Sequence, residues 1–262
     1  PSDIAYAVDA LLGELGPDTL EMAAADLNGD GRYSVADLVF LAHLIVQEGT
    51  VLLPGEGKRE RVDLVVQSKS AAAGGEIRTD EWGVDVCLTS SQKALALPAG
   101  LALCSVSDRA MERAESVSNR GWYFDFLQYE KYAAKNHTPA TPAISLMQAL
   151  DAQLDAIAAE GWDARFARHQ RMKQQVHDWV QKNGFDFFAE EGYRSPTVTA
   201  VSNTREIDVG VLNVYLRQRG MVISNGYGRL KGETFRVAHM GDTTEQDISA
   251  LLEAMTQFVQ EA

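Results

Sequence analysis

The chain has 262 residues, enough for one large domain or two smaller ones. Hydrophobic residues make up 45% and charged residues 23%, the balance of a globular protein with a real core. A formal net charge of -13 argues against nucleic acid, whose phosphates need a basic surface, and against an anionic membrane surface.

Residues 1–49 read as a helical, Ala/Leu/Asp-rich module whose only proline is Pro17. Residues 50–72 hold a Pro/Gly turn, a charged stretch and the short β-like run Val62-Asp63-Leu64-Val65-Val66, so they form a linker and a strand. From 73 onward the pattern is α/β, with 73–149 in one domain and a smaller α+β domain over 150–262. Strands are expected at Val84–Leu88 and Gly100–Val106, followed by a helix from Asp108 to Ser116. Ile144, Leu146, Met147, Leu150, Leu154 and Ile157 recur at helical spacing within 143–160, and Gly161 ends that helix. A more polar helix covers 163–183 and stops at Gly184. A strand over 197–202, a helix over 207–220, strands over 221–224 and 234–238, and a closing helix over 244–260 capped by Thr243 or Thr244 complete the pattern.

Cys87 and Cys104 sit in apolar runs and are expected as buried free thiols rather than a disulfide. No apolar run reaches the ~18 residues of a membrane span. The first residues show no basic stretch followed by an apolar one, so a cytoplasmic protein is expected.

Residues 26–37 read Asp-Leu-Asn-Gly-Asp-Gly-Arg-Tyr-Ser-Val-Ala-Asp. Oxygen donors recur at alternate positions: Asp26, Asn28, Asp30, Ser34 and Asp37, with the carbonyl of Arg32 between them and Gly31 at the sharp turn. A hard cation takes about six to eight such oxygens, so Ca2+ is the expected ligand, with Asp37 a shorter donor than the glutamate usual at the last position. This loop and the Val35-Ala36-Asp37-Leu38 that ends it resemble a dockerin repeat, a relative of the EF-hand. That resemblance implies a cohesin-like partner and an extracellular setting; only one repeat is intact.

The segment Thr79 to Leu101 contains Thr89-Ser90-Ser91-Gln92-Lys93-Ala94-Leu95 followed by Leu97-Pro98 and Gly100. With Thr138-Pro-Ala-Thr141-Pro-Ala-Ile-Ser-Leu, Gly226-Tyr-Gly-Arg-Leu-Lys-Gly and Thr234-Phe-Arg236-Val-Ala-His239-Met-Gly, it resembles class V (fold type I) aminotransferases that use pyridoxal 5'-phosphate (PLP). The resemblance covers about 73–262 and is nearest to the serine–pyruvate and alanine–glyoxylate aminotransferases. It implies Lys93 as the Schiff-base lysine and proton carrier, a role suited to an amine whose pKa desolvation can lower. It also implies Gln92 and Thr141 as cofactor-phosphate contacts, with Thr141 reaching across a homodimer. Thr138 falls where the family often has a tyrosine; a turn or N-cap role fits it equally well. Arg236 matches the arginine whose planar fork grips a substrate carboxylate. His137 and His239 are expected as structural histidines.

The family's upstream half supplies a phosphate loop at a helix N-terminus and an aromatic stacked on the pyridine, and neither is visible here. Its aspartate on the pyridine nitrogen falls on Gln67, a neutral amide that cannot stabilise a pyridinium as a carboxylate does. Asp63 serves only with four residues inserted after it. Two readings follow: transamination between a small amino acid of the alanine/serine type and a small 2-oxo acid of the glyoxylate/pyruvate type, or a non-catalytic calcium-dependent scaffold fused to an incomplete aminotransferase fold.

Overall fold

A computed structural model describes residues 65–68 and 70–261. The expected N-terminal helical module, with the calcium loop at 26–37 and Asp63, lies outside the described residues. These group into two compact units, one of Arg78–Thr89 and Leu103–Pro142 with the first strand, the other of Ser90–Ala102 and the residues from Ala143 with the 70–77 turn.

In the first unit β1 (Val65–Gln67), β2 (Val86–Ser90) and β3 (Ala102–Val106) form a sheet in that order. β1 runs parallel to β2, with Val65 opposite Val86 and Gln67 opposite Leu88. Two helices follow, α1 (Asp108–Ser116) and α2 (Phe126–Ala133). The Ser107 hydroxyl caps α1 by accepting from the Ala110 N–H, and the Asp125 carboxylate caps α2 by accepting from the Leu127 N–H. Buried Asp85 ties the start of β2 to α1, accepting from Arg109 Nε at 2.7 Å and Ser107 Oγ at 2.8 Å. Cys104 is exposed, not buried as its apolar setting suggests, because alternation along β3 turns positions 102 and 104 outward together. Cys87 is half-buried, 3.3 Å from Ser68 Oγ.

The second unit is built on α3 (Ile144–Glu160), α4 (Trp162–Lys182), β4 (Asp186–Phe187), β5 (Val198–Ser202), α5 (Val209–Arg217), β6 (Ser224–Asn225), β7 (Thr234–Ala238) and α6 (Glu245–Glu261). Its sheet is antiparallel throughout, in the order β4-β5-β7-β6. The strand expected over 221–224 shortens and shifts to Ser224–Asn225, and Ile223 spends its N–H on the Asn213 side chain rather than on a neighbouring strand. Strand alternation turns Phe235 and Val237 inward beside Val201, where they meet Met172, Val176 and Val180 of α4, Leu212 and Leu216 of α5, and Ile248 and Met255 of α6. Fully burying each such side chain stabilises by about 1.5–3 kcal/mol. α3 forms as its periodicity predicts, but Ile157 alone of its apolar stripe is buried, while Ile144, Met147 and Leu154 are exposed. The Thr244 hydroxyl caps α6 in a reciprocal pair, accepting from the Asp247 N–H while its own N–H donates to the Asp247 carboxylate. Among the described residues no helix is long and apolar enough to cross a membrane.

α4 carries the arrangement most relevant to the site. Its buried stripe is Arg165, His169, Met172, Val176 and Trp179, spaced at three and four. The C-terminal end of the stripe is apolar and joins the core. The N-terminal end is a charged residue and a histidine, both buried.

Candidate active site

β2 ends at Ser90, and the chain turns sharply through Ser91 to Leu97. The fully buried Ser91 fixes this turn at both ends. Its hydroxyl donates to the Pro98 carbonyl at 2.7 Å and accepts from the Leu101 N–H, and its own N–H donates to the Leu101 carbonyl. The Leu97 N–H closes on the Ser91 carbonyl, and the Ala96 N–H on that of Lys93. Ala94 and Leu95 point inward and anchor the turn. Lys93 is left half-buried and Gln92 exposed, adjacent on one turn. Thr89 Oγ1 and Ser90 Oγ, just ahead of them, are buried with no protein partner among the described residues. Unsatisfied buried hydroxyls are costly and are normally matched by water or a bound polar group.

Beneath this turn lies a cationic layer. Arg165 is 1% exposed. Its Nε donates to the Ala73 carbonyl and one terminal nitrogen to the Ala94 carbonyl, each at 2.8 Å. The other terminal nitrogen pairs with Glu160 at 2.7 Å. Arg168 donates to Glu160 at 2.6 Å and to the carbonyls of Gly241 and Thr243. Hydrogen bonding from Arg168, then from Arg165, outweighs desolvation and holds the Glu160 carboxyl down at about 2. His169 Nε2 accepts the Gly241 N–H at 3.1 Å, and its Nδ1 faces the Arg165 carbonyl. Burial lowers the pKa of His169, so its neutral form is favoured, as that acceptor role requires. A Cβ built on Gly241, whose φ is +72°, would lie 3.0 Å from Ala96 Cβ and 3.4 Å from the Lys93 carbonyl oxygen.

Arg236 sits in the middle of β7, opposite Ala200 and Ser224, on the sheet face away from Phe235 and Val237. It is exposed, and one terminal nitrogen donates to the Asn225 carbonyl at 3.1 Å. Thr138 and Thr141 belong to the other unit. The Thr138 hydroxyl closes a turn onto the Ala140 carbonyl, while Thr141 is exposed three residues before α3, whose N-cap position is Ala143. His239 is fully buried, with Nε2 2.9 Å from Thr199 Oγ1, the structural setting expected of it; His137 is exposed. The metal-ligand positions Asp26, Asn28, Asp30, Arg32, Ser34 and Asp37 lie outside the described residues. Among those described, no cluster of three or more His, Cys, Asp or Glu side chains could hold a metal ion.

Arg165, His169 and Glu160 had escaped the sequence reading. Their signal was available: a charged residue and a histidine at i and i+4, in register with an apolar stripe, on a helix otherwise read only as polar.

Residues 47–251 match the model of the class-V aminotransferase family. The chain is 35% identical over 191 residues to an uncharacterized aminotransferase of Methanocaldococcus jannaschii, an alignment covering 72% of this chain and 50% of that protein. It is 35% identical over 195 residues to the serine–glyoxylate aminotransferase of Arabidopsis thaliana, covering 72% and 48%. Among solved structures, alanine–glyoxylate aminotransferase from Nostoc sp. superposes with a TM-score of 0.69 at 29% identity, over 76% of this chain and 54% of that one. The chain thus spans about half the length of the curated relatives it matches. With the family model covering most of its length, the chain belongs to the class-V aminotransferases.

Proposed function

We propose that this chain is the lysine-bearing part of a PLP-dependent aminotransferase that moves an amino group between a small amino acid of the alanine or serine type and a small 2-oxo acid such as glyoxylate or pyruvate. The observation that carries the reading is the Lys93 turn: a half-buried lysine on a turn that Ser91 ties at both ends, directly after two buried hydroxyls that lack a protein partner among the described residues. These residues fit PLP. The Lys93 amine would hold its aldehyde end, and hydroxyl and amide donors would suit its phosphate. Gln92 and Thr141 would hold the phosphate, with Thr138 a lesser contact, and Thr141 would act across a homodimer. When bound, PLP supplies an electron sink for charge developing at the substrate α-carbon.

The chain's own groups do the rest. Lys93 Nζ takes the proton from the substrate α-carbon and returns one, which needs an amine held in place rather than a freely rotating surface lysine. Arg236 grips the α-carboxylate. Only one of its terminal nitrogens is spent on Asn225, and its position on a paired strand fixes the stem of the side chain. The serine–glyoxylate specificity of the Arabidopsis relative supports a small-substrate site.

The test is spectroscopic. PLP added to the pure chain is expected to give a visible absorption band that borohydride reduction fixes on Lys93 and that Lys93→Ala abolishes. A band that survives Lys93→Ala, or no band at all, refutes the assignment. The calcium loop at 26–37 and its cohesin-like partner rest on donor spacing alone. Calorimetry with calcium tests them, and no heat of binding removes both from the reading.

A further inference from the structure

We infer that Arg165 is a positioning residue for Lys93, holding the lysine turn through the Ala94 carbonyl while His169, one helical turn on, holds the glycine that packs against the same turn. The inference rests on Lys93 being the cofactor lysine only for its catalytic meaning; the mechanical coupling stands on geometry. Ala94 follows Lys93 directly, and its carbonyl accepts from the Arg165 guanidinium at 2.8 Å. The rest of the fork serves Ala73 at 2.8 Å and Glu160 at 2.7 Å, and Asp242 lies 3.4 Å from both terminal nitrogens. A shift of the Ala94 peptide would therefore leave that buried cationic nitrogen with only its longer contact to Asp242, at 3.4 Å.

The layers around that contact leave the turn no slack. A Cβ on Gly74 would stand 3.2 Å from Ala94 Cβ and 3.1 Å from the His169 ring. Gly241 lies against Ala96 and the Lys93 carbonyl on the other side, with its N–H held by His169 and its carbonyl by Arg168. Ala96 itself has φ +57°, a conformation a non-glycine residue keeps only when its surroundings enforce it. Arg165, Arg168 and His169 come from one side of the same 21-residue helix, so a rigid element sets the height of the lysine turn. The guanidinium is shaped for this work, because one plane of donors serves several carbonyls at once, whereas an ammonium offers a point charge.

Hydrogen exchange on the full chain without PLP tests the coupling first. In Arg165→Met and Arg165→Lys, the Ala96 and Leu97 amides, which close the turn, are expected to exchange at least about tenfold faster, while the β5–β7 ladder keeps its protection. Borohydride reduction with PLP and peptide mapping follow. Labelling at Lys93 is expected to fall about tenfold in both variants while labelling at Lys173 and Lys182 is unchanged. Folded variants with unchanged exchange at Ala96 and Leu97 overturn the inference. So does faster exchange with undiminished labelling at Lys93. Equal loss of protection in the turn and the ladder of both variants also overturns it, since Arg165 would then support the unit at large. If exchange responds as expected but the parent chain takes no label at Lys93, the coupling stands and the proposed function falls.

Discussion

Acidification from about pH 7.5 to about pH 5 is expected to weaken the second unit through His239, the imidazole that follows β7. This side chain is fully buried; Nε2 meets Thr199, and Nδ1 has no partner among the described residues. Burial, then repulsion from His177, lowers its pKa from 6.5 to about 4, with His169 and Lys173 adding to the effect. The unfolded chain therefore takes up a proton at higher pH than the folded one. The stability this histidine contributes is complete above pH 6.5 and is lost as pH falls toward 4. At pH 5 the loss is about 2 kcal/mol, from about 1.4 kcal/mol per pKa unit over the interval. Urea midpoints followed by circular dichroism across this range measure it. His239→Gln, which keeps an amide near Thr199 but cannot titrate, is expected to start weaker at pH 7.5 and to lose about 2 kcal/mol less on acidification. Parallel pH curves for parent and variant would refute the assignment of acid lability to this residue. His177, whose pKa burial likewise lowers to about 4, titrates in the same window, so His177→Gln should remove a comparable part of the slope.

Phe235→Ala is expected to cost about 3–5 kcal/mol, read from the urea midpoint, because the ring is fully buried and meets Phe185 edge-on at 5.4 Å. Asp85→Asn removes the charge that receives Arg109 and Ser107 and should cost about 2 kcal/mol, measured by thermal melting of the first unit. Thr244→Ala breaks the reciprocal cap of α6 at a cost of about 1 kcal/mol, and fraying should appear as faster exchange of the Ile248 amide, which bonds the Thr244 carbonyl.

Much of this fold was legible because its periods are clean. The Thr234–Ala238 strand alternates strictly and was placed to the residue, and the α1 helix likewise. α2 was missed because Phe-Leu-Gln-Tyr-Glu-Lys-Tyr-Ala shows no sustained apolar stripe; its one signal was Asp125, a cap without an obvious helix to follow. α3 was found as an element but not in its environment, since spacing reports a common face and says nothing about what covers it. In the candidate site, motif residues such as Lys93 and Arg236 stood out in short runs. The supporting residues did not. Arg165 lies 72 positions from Lys93 in sequence, and only the packing of α4 brings its fork to the Ala94 carbonyl. Ser91 belongs to the motif, but its double tie to Pro98 and Leu101 depends on a turn that no periodicity describes.

The way the chain is shared between the two units limits how it can be cut. Strands β2 and β3 belong to one unit, yet the Ser90–Ala102 segment joining them belongs to the other, as does the 70–77 turn. A fragment beginning near residue 143 would look like a self-contained α+β domain in sequence, and it would keep α4 and the whole second sheet. It would lose the Ala73 and Ala94 carbonyls together, stripping two acceptors from the Arg165 guanidinium. Excision at that point leaves the Arg165 guanidinium paired with Glu160 and Asp242 but short of two carbonyl acceptors, so such a fragment should be less stable than the same residues within the full chain.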